Sequence, residues 1–240
     1  MEADLVDASP ASSAPNASAP DAGTGRSRGR PRTPVLSQDA ITRATLRLIT
    51  RRGYDTFTLA ALAKELKVSV SALYNHAASK QQVLLWAQDA INATIDTGAF
   101  ATLPWDEALA AWARSYRDAY APVTALVPVM AVLPVTDAPG SLAMYETVVA
   151  ALVDAGWSGA EAVNAVVSIE SFVFGSALDT AAPEEIFDVG ADVAPALSAA
   201  VADRARRYGR SAAATADAAF ELGLGALLSG LRARHEAAGA

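Results

Sequence analysis

Residues 58–80 read TLAALAKELKVSVSALYNHAASK, and their spacing decides how the chain folds. Leu59, Leu62 and Leu66 recur at i, i+3 and i+7 and so line one face of a helix. Ala63 lies beside that stripe, small enough to let a second helix cross closely, and Leu73 is the residue that second helix would bury. Lys67-Val68-Ser69 supplies the turn between them, with Val68 plugging the angle. Thr58, Ser69 and Ser79 each stand where a hydroxyl accepts the free N–H groups of a new helix, and Gln82 follows Ser79 at the spacing of a capping box. Three caps predict three helix starts.

Just upstream, Ser37 is placed to cap a helix carrying Ile41, Leu48 and Ile49 on one side, and Gly53 suits the left-handed position past its end. The expected unit is a three-helix cluster holding a helix-turn-helix, with a fourth helix starting at Ser79 and carrying Val83, Leu84, Leu85 and Ile91.

The string Ser37 to Gly53, Thr58, Leu62-Ala63, Leu66, Val68-Ser69, Leu73-Tyr74, His76 and Ser79-Lys80 resembles the DNA-binding domain of TetR-family transcriptional regulators. The specific part is the LY-x-H-x-x-(S/N)-K signature, present from Leu73 to Lys80. The resemblance extends by motif over residues 35–90, and beyond them only as a helical pattern. Two positions depart from it: Lys67 stands where a turn glycine is common, and Ala77 where an aromatic residue usually follows the histidine. Lys67 must adopt or avoid a positive φ, at a cost of roughly 1 kcal/mol if it adopts it. Ala77 leaves less packing between helices 3 and 4.

The resemblance implies roles position by position. Val70, Ser71, Ala72 and Asn75 match positions that face base edges, where Asn75 can pair bidentately with adenine, Ser71 can bond either way, and Val70 or Ala72 can touch a thymine methyl. Thr58, Tyr74, His76 and Lys80 match positions used on phosphates, which place the helix without reading sequence. Two of these have ordinary alternatives: Tyr74 packing on helix 1, and His76 capping the end of helix 3.

Charge supports nucleic-acid binding without any family. Residues 26–86 hold 11 Lys/Arg against Asp39, Asp55 and Glu65, a balance of +8; residues 87–240 hold 8 against 19, or −11, and the first 25 residues add −4, giving the overall −7. All three lysines, Lys64, Lys67 and Lys80, fall in the helix-turn-helix region, where they can neutralise phosphates. Residues 1–34, dominated through Gly25 by Ala, Ser, Pro and Gly, read as a disordered tail ending in Arg26, Arg28, Arg30 and Arg32. This arm either enters a minor groove or follows phosphates, as homeodomain arms do, or it is a solvated linker.

Composition narrows the other classes. The 240 residues contain no cysteine, which excludes disulfides, thiolate metal sites and cysteine nucleophiles. Only His76 and His235 are present, carboxylates such as Glu146, Asp154, Glu170 and Asp179 are scattered, and no Gly-rich phosphate loop follows a strand. The expectation is a non-enzyme with no metal and no cofactor. The acidic start MEADLVDASP lacks an apolar core, and the longest uncharged run, Ala119 to Thr136, is interrupted by Pro122, Pro128 and Pro134. A soluble, cytoplasmic protein that meets no membrane is expected.

The fold class read from the pattern is all-α, with a tail over 1–34, a helix-turn-helix DNA-binding domain over 35–84, and a larger helical domain over 85–240, which the resemblance implies is the ligand-binding and dimerisation domain. Further helices are expected at 104–120, 122–133, 141–155, 158–179, 191–208 and 211–237, broken by Pro122, Pro139-Gly140, Gly156, Pro183 and Gly209. In the last of them Phe220, Leu224, Leu227 and Leu231 form a large-residue stripe beside the small stripe Ala219, Gly223, Ala226 and Gly230. Helix 158–179, with Val163, Val166, Val167, Ile169, Phe172, Val173 and Phe174, is apolar on more than one side.

The resemblance implies that these two helices form a four-helix dimer interface through Val163, Val167, Phe220, Leu224, Leu227 and Leu231, the alternative being monomer core. It also implies a pocket for a largely apolar effector within residues 100–178. Trp112, Tyr116, Tyr120, Met130, Met144 and Phe172 are candidates for its wall, with Asn164, Ser168 and Glu170 as polar handles. Residues at such spacing also serve as plain core. The functional expectation is a homodimeric, ligand-responsive regulator, a repressor, on a palindromic operator in double-stranded DNA. The alternative is an architectural DNA-binding protein without a ligand.

Overall fold

Each helix start around the turn is built by the residue that the sequence singles out. In a computed structural model that describes residues 36–184 and 186–239, the Ser37 hydroxyl accepts the Ala40 N–H at 3.2 Å and opens α1 (Gln38–Arg52). Thr58 takes the Ala61 N–H at 3.0 Å before α2 (Leu59–Leu66), and Ser69 takes that of Ala72 at 3.1 Å before α3 (Val70–Tyr74). Ser79 takes the Gln82 N–H at 3.1 Å before α4 (Lys80–Asn92). Gln82 returns a bond, at 2.8 Å, to the Ala78 N–H rather than to Ser79, so the capping box closes one residue early. The tail expected over 1–34, with its Arg26–Arg32 arm, lies outside the described residues.

The turn between α2 and α3 settles the question posed by Lys67. Its φ of 56° and ψ of 40° are left-handed helical. The Val68 N–H reaches the Ala63 carbonyl at 3.0 Å and the Lys67 N–H that of Lys64 at 3.2 Å, the two bonds of a Schellman ending. Gly53 also has a positive φ, 77°, but its ψ of 160° is extended, so it turns the chain out of α1 without continuing a left-handed cap.

Ile41, Leu48 and Ile49 of α1, Leu62 and Ala63 of α2, Leu73 of α3, and Val83, Leu84 and Ala87 of α4 are all buried in one cluster, joined by Phe57. Each fully buried leucine stabilises this cluster by roughly 2 kcal/mol. Ala77 is itself completely buried, and its N–H bonds the Leu73 carbonyl at 3.0 Å, so the corner where less packing was expected is closed.

The remaining described residues are helical too: α5 (Trp105–Tyr120), α6 (Val127–Met130), α7 (Pro139–Asp154), α8 (Gly159–Asp179), α9 (Pro195–Tyr208) and α10 (Ala212–Gly239), with 3₁₀ turns at Gly98–Ala101 and Ala121–Leu126. Among the described residues the fold is all-α. α8 packs on α5, α7 and α10, while α4 reaches from the turn region to α5 and α7. By length and composition α8 could cross a membrane, yet its Ala165, Val166, Ile169, Val173 and Phe174 are buried against protein.

Prolines explain where the helix boundaries differ from expectation. No continuous helix spans 122–133: Val123 leaves helical geometry at φ −129° and ψ 32°, and Pro128 starts the short α6. Pro139 lies in the first turn of α7, starting that helix rather than breaking it, and Pro195 does the same for α9, which begins four residues later than expected.

Candidate DNA-reading surface and effector core

The α3 helix turns Leu73 inward and leaves its other side open. Val70 and Tyr74 are 40% and 52% exposed, and Ser71 and Asn75 are exposed as well. Ala72 is half-buried, which makes it the least accessible of the four proposed base-facing residues. The Ser71 hydroxyl lies 3.1 Å from that of Ser69, within the same cap. Tyr74 leaves about half of its side chain open to solvent, and His76 engages the end of α3 through its backbone N–H, bonded to the Leu73 carbonyl at 2.9 Å, while its ring is exposed.

Thr58 already accepts a backbone N–H, and its own hydroxyl proton remains a possible phosphate donor. Lys80, in the first turn of α4, lies over the ring of Tyr54 with its ammonium 4.3 Å from the centroid, and 5.3 Å from that of Phe57. These two aromatic residues were not singled out from sequence. Nothing local marks them, because they meet Lys80 only through the α1–α4 packing. Arg51 on α1 and Glu65 on α2 form a 2.5 Å ion pair that ties the two helices together.

In the larger helical region, Trp112, Tyr116, Tyr120, Met130 and Met144 are buried in the common core. Phe172 departs from that set. Two residues along a helix is about 200° of rotation, so Phe172 stacks on Phe220 of α10 (5.4 Å between centroids, 10°) while Phe174 meets Tyr116 and Tyr120 edge-on at 5.5 and 5.1 Å. A cavity of about 530 Å³ beside the 182–189 segment, α9 and α10, and an open groove of about 650 Å³ between α8 and α10, are lined by none of the six expected wall residues. Asn164 and Ser168 line that groove, so of the three polar handles only Glu170 meets the aromatic core.

Glu170 accepts hydrogen bonds from the hydroxyls of both Tyr116 and Tyr145. Burial, followed by the Glu170 charge for Tyr116 and Tyr145 and by Tyr145 and then Glu170 for Tyr120, pushes the three phenols well above the usual tyrosine range, so all three remain protonated donors. Tyr145 was missed from sequence, since only the crossing of α7 over α8 brings it to Glu170. A second polar chain runs into α4. Tyr120 donates to Asn92 at 2.8 Å, Asn92 donates to Ser141 at 2.9 Å, and Asp89 accepts the Ser141 backbone N–H at 2.8 Å. Gln88, one turn before Asn92, donates to the Met130 carbonyl at 3.1 Å.

The proposed dimer-forming residues separate into two groups. Val163 and Val167 are 49% and 51% exposed, and Leu227 and Leu231 line the open groove between α8 and α10. Phe220 and Leu224 instead are buried in the protomer's own core, because that side of α10 packs on α5 and α8. The outer face of α10 is formed by Leu222 (78% exposed) with Ala219 and Ala226, so two of the small-stripe residues are open, while Gly223 lies against Phe172.

Residues 41–86 match the family model for bacterial regulatory proteins of the tetR family, and residues 102–235 match that of the tetracyclin repressor-like C-terminal domain. The chain is 32% identical over 213 residues to the class A tetracycline repressor protein from transposon 1721 of Escherichia coli, covering 83% of this chain and 92% of that one. It is 28% identical over 143 residues to an HTH-type transcriptional regulator of Saccharopolyspora erythraea, and there the match spans only 60% of each. Among solved structures, a possible TetR family transcriptional regulator from Streptomyces coelicolor A3(2) superposes with a TM-score of 0.69 at 28% identity, over 82% of this chain and 99% of that one. With the reading helix, its caps and the helical core behind them, these matches show that the chain belongs to the TetR family of transcriptional regulators.

Proposed function

We propose that this protein is a ligand-responsive repressor that binds a palindromic operator as a homodimer and is released from it by a small molecule. The observation that carries this reading is the double attachment of α4. Its first turn places Lys80, six residues past the end of the reading helix, over the Tyr54 ring, and its last turn is hydrogen-bonded through Asp89 and Asn92 to α5 and α7. A change in the aromatic core is thereby able to tilt the reading helices, and operator binding reciprocally disfavours the effector. In this scheme Val70, Ser71, Ala72 and Asn75 face bases, and Thr58, Tyr74, His76 and Lys80 face phosphates. The relative named as a tetracycline repressor supports an effector of small-molecule size. The site of action is the cytoplasm, where the DNA is.

The test is selection of bound DNA from a random library, followed by screening for compounds that release it. One short palindrome released by a small molecule is the expected result. Diffuse coverage with no preferred site would favour an architectural DNA-binding protein instead.

A further inference from the structure

The inner face of α9 meets a cavity where an ordinary helix meets packed side chains. Ser198, Val201, Ala202 and Ala205 recur at i, i+3, i+4 and i+7, the spacing of a core-facing stripe. All four line the cavity of about 530 Å³, and none of the 14 residues of α9 is buried. Across the cavity α10 presents Ala212, Thr215 and Ala219, and the segment after α8 presents Ile186 and Phe187. The alanines account for the volume, since each stands where a larger side chain would have filled it. Small-molecule sites span about 300–1,000 Å³, and this cavity lies within that range.

The charges around it are divided by chain segment. Asp179, the last residue of α8, and Glu184 and Asp188 after it contribute carboxylates, while Arg204 of α9 and Arg210 in the turn to α10 contribute guanidiniums. Among the described residues no ion pair joins the two sets. The other arginines beyond residue 86 are engaged elsewhere. Arg114, Arg117, Arg206, Arg232 and Arg234 pair with carboxylates, and Arg207 lies over the Tyr208 ring at 5.3 Å. Arg204 is held by a neutral acceptor, the Thr215 carbonyl at 2.7 Å, which fixes its place and leaves its charge for a ligand. Glu184, Asp188 and Arg210 are exposed, so their charges stand where the cavity meets solvent.

A ligand with a single charge is attracted by one of these sets and repelled by the other. A neutral ligand gains apolar contact alone. We infer that the cavity binds a zwitterion on an apolar body of about dipeptide size: its carboxylate is taken by Arg204 and Arg210, its ammonium by Asp179, Glu184 and Asp188, and its body lies against Ile186, Phe187 and Val201. The site is separate from the aromatic core, since Trp112, Tyr116 and Tyr120 do not line it. The inference does not depend on the repressor reading, because binding is measured on the protein without DNA.

Calorimetric titration of the full chain with leucylphenylalanine, its N-acetyl form, its amide and the N-acetyl amide compares one body in four charge states. The free dipeptide, which carries both charges, should bind at least about fivefold more tightly than any of the other three. Arg204→Gln with Arg210→Gln should bring the free dipeptide and its amide within about twofold, since only the carboxylate distinguishes them. Should the change at Arg204 prevent folding, Arg210→Gln alone, at an exposed position, should still narrow that ratio. Asp179→Asn, Glu184→Gln and Asp188→Asn together should bring the free dipeptide and its N-acetyl form within about twofold, since only the ammonium distinguishes these. Ala205→Phe, which fills the cavity, should abolish binding of all four while the circular dichroism spectrum stays unchanged. Equal or tighter binding of a singly charged or neutral form overturns the inference. So does a preference that survives both sets of charge changes, binding that Ala205→Phe leaves intact, or failure of all four to bind with a Kd below about 1 mM.

Discussion

At the scale of single residues, the helix-turn-helix is held by chemistry that acts over three or four positions, which is why so much of it can be read from the chain alone. Ser37, Thr58, Ser69 and Ser79 all cap the helices they precede. Lys67 is the exception that carries a cost, since a side chain with a Cβ holds a left-handed turn that a glycine adopts freely. Lys67→Gly should therefore stabilise the protein by about 1 kcal/mol in urea denaturation, while Lys67→Ala should leave it near its starting value. The reading residues separate by their chemistry. Asn75→Ala should relax sequence preference at one base pair, visible as one degenerate position in a selection profile. Lys80→Ala should instead weaken all sequences alike and lower the salt slope of binding by about one. An unaltered profile in the first variant would remove Asn75 from the base-facing set.

At the scale of elements, the decisive contact is the one α4 makes with the start of α7. A Cβ added at Gly140 would lie 3.1 Å from Asp89 Oδ1, 3.2 Å from Ala93 Cβ and 3.3 Å from the Asp89 carbonyl oxygen. A side chain there fits only if Asp89 and Ala93 give by a few tenths of an ångström, at the contact through which Asp89 accepts the Ser141 N–H. Gly140→Ala should push α7 off α4, costing roughly 1–3 kcal/mol of stability by overpacking. It should also reduce the ratio of operator affinities measured with and without effector, and a variant with full stability and unchanged coupling would show that this contact is not the lever. None of this was visible in the sequence, where Pro139-Gly140 reads as a break between helices. The helices themselves were legible from periodicity and caps, and so was the inward side of α3, marked by Leu73. What periodicity does not reveal is which side of an apolar helix meets which neighbour. That is why Phe172 was placed with Tyr116 when Phe174 occupies the position, and why Tyr54 and Tyr145 carried no signal.

For the whole molecule, the question is how one short reading helix gains enough affinity to find an operator. With residues 26–86 at +8 and residues 87–240 at −11, attraction to DNA is confined to one part of the chain, and the acidic remainder opposes wrapping. A second copy of the reader is the direct remedy, since two linked half-site contacts multiply affinity without any new base contact. The surface available for pairing is the outer face of α8 and α10, where Val163, Val167 and Leu222 are exposed together with the small residues Ala219 and Ala226. Val163→Glu with Val167→Glu places two charges on that face while leaving Val166, Ile169 and Val173, which hold α8 to the core, untouched. The double variant should remain folded by circular dichroism and sediment as a monomer. Its operator affinity should fall by about 100-fold or more as the second half-site is lost, while titration of the isolated protein with effector gives an affinity close to the original. Unchanged sedimentation and unchanged operator affinity would mean that pairing, if it occurs, uses another surface. A monomer that still bound the full palindrome tightly would mean that the reading helix needs no partner.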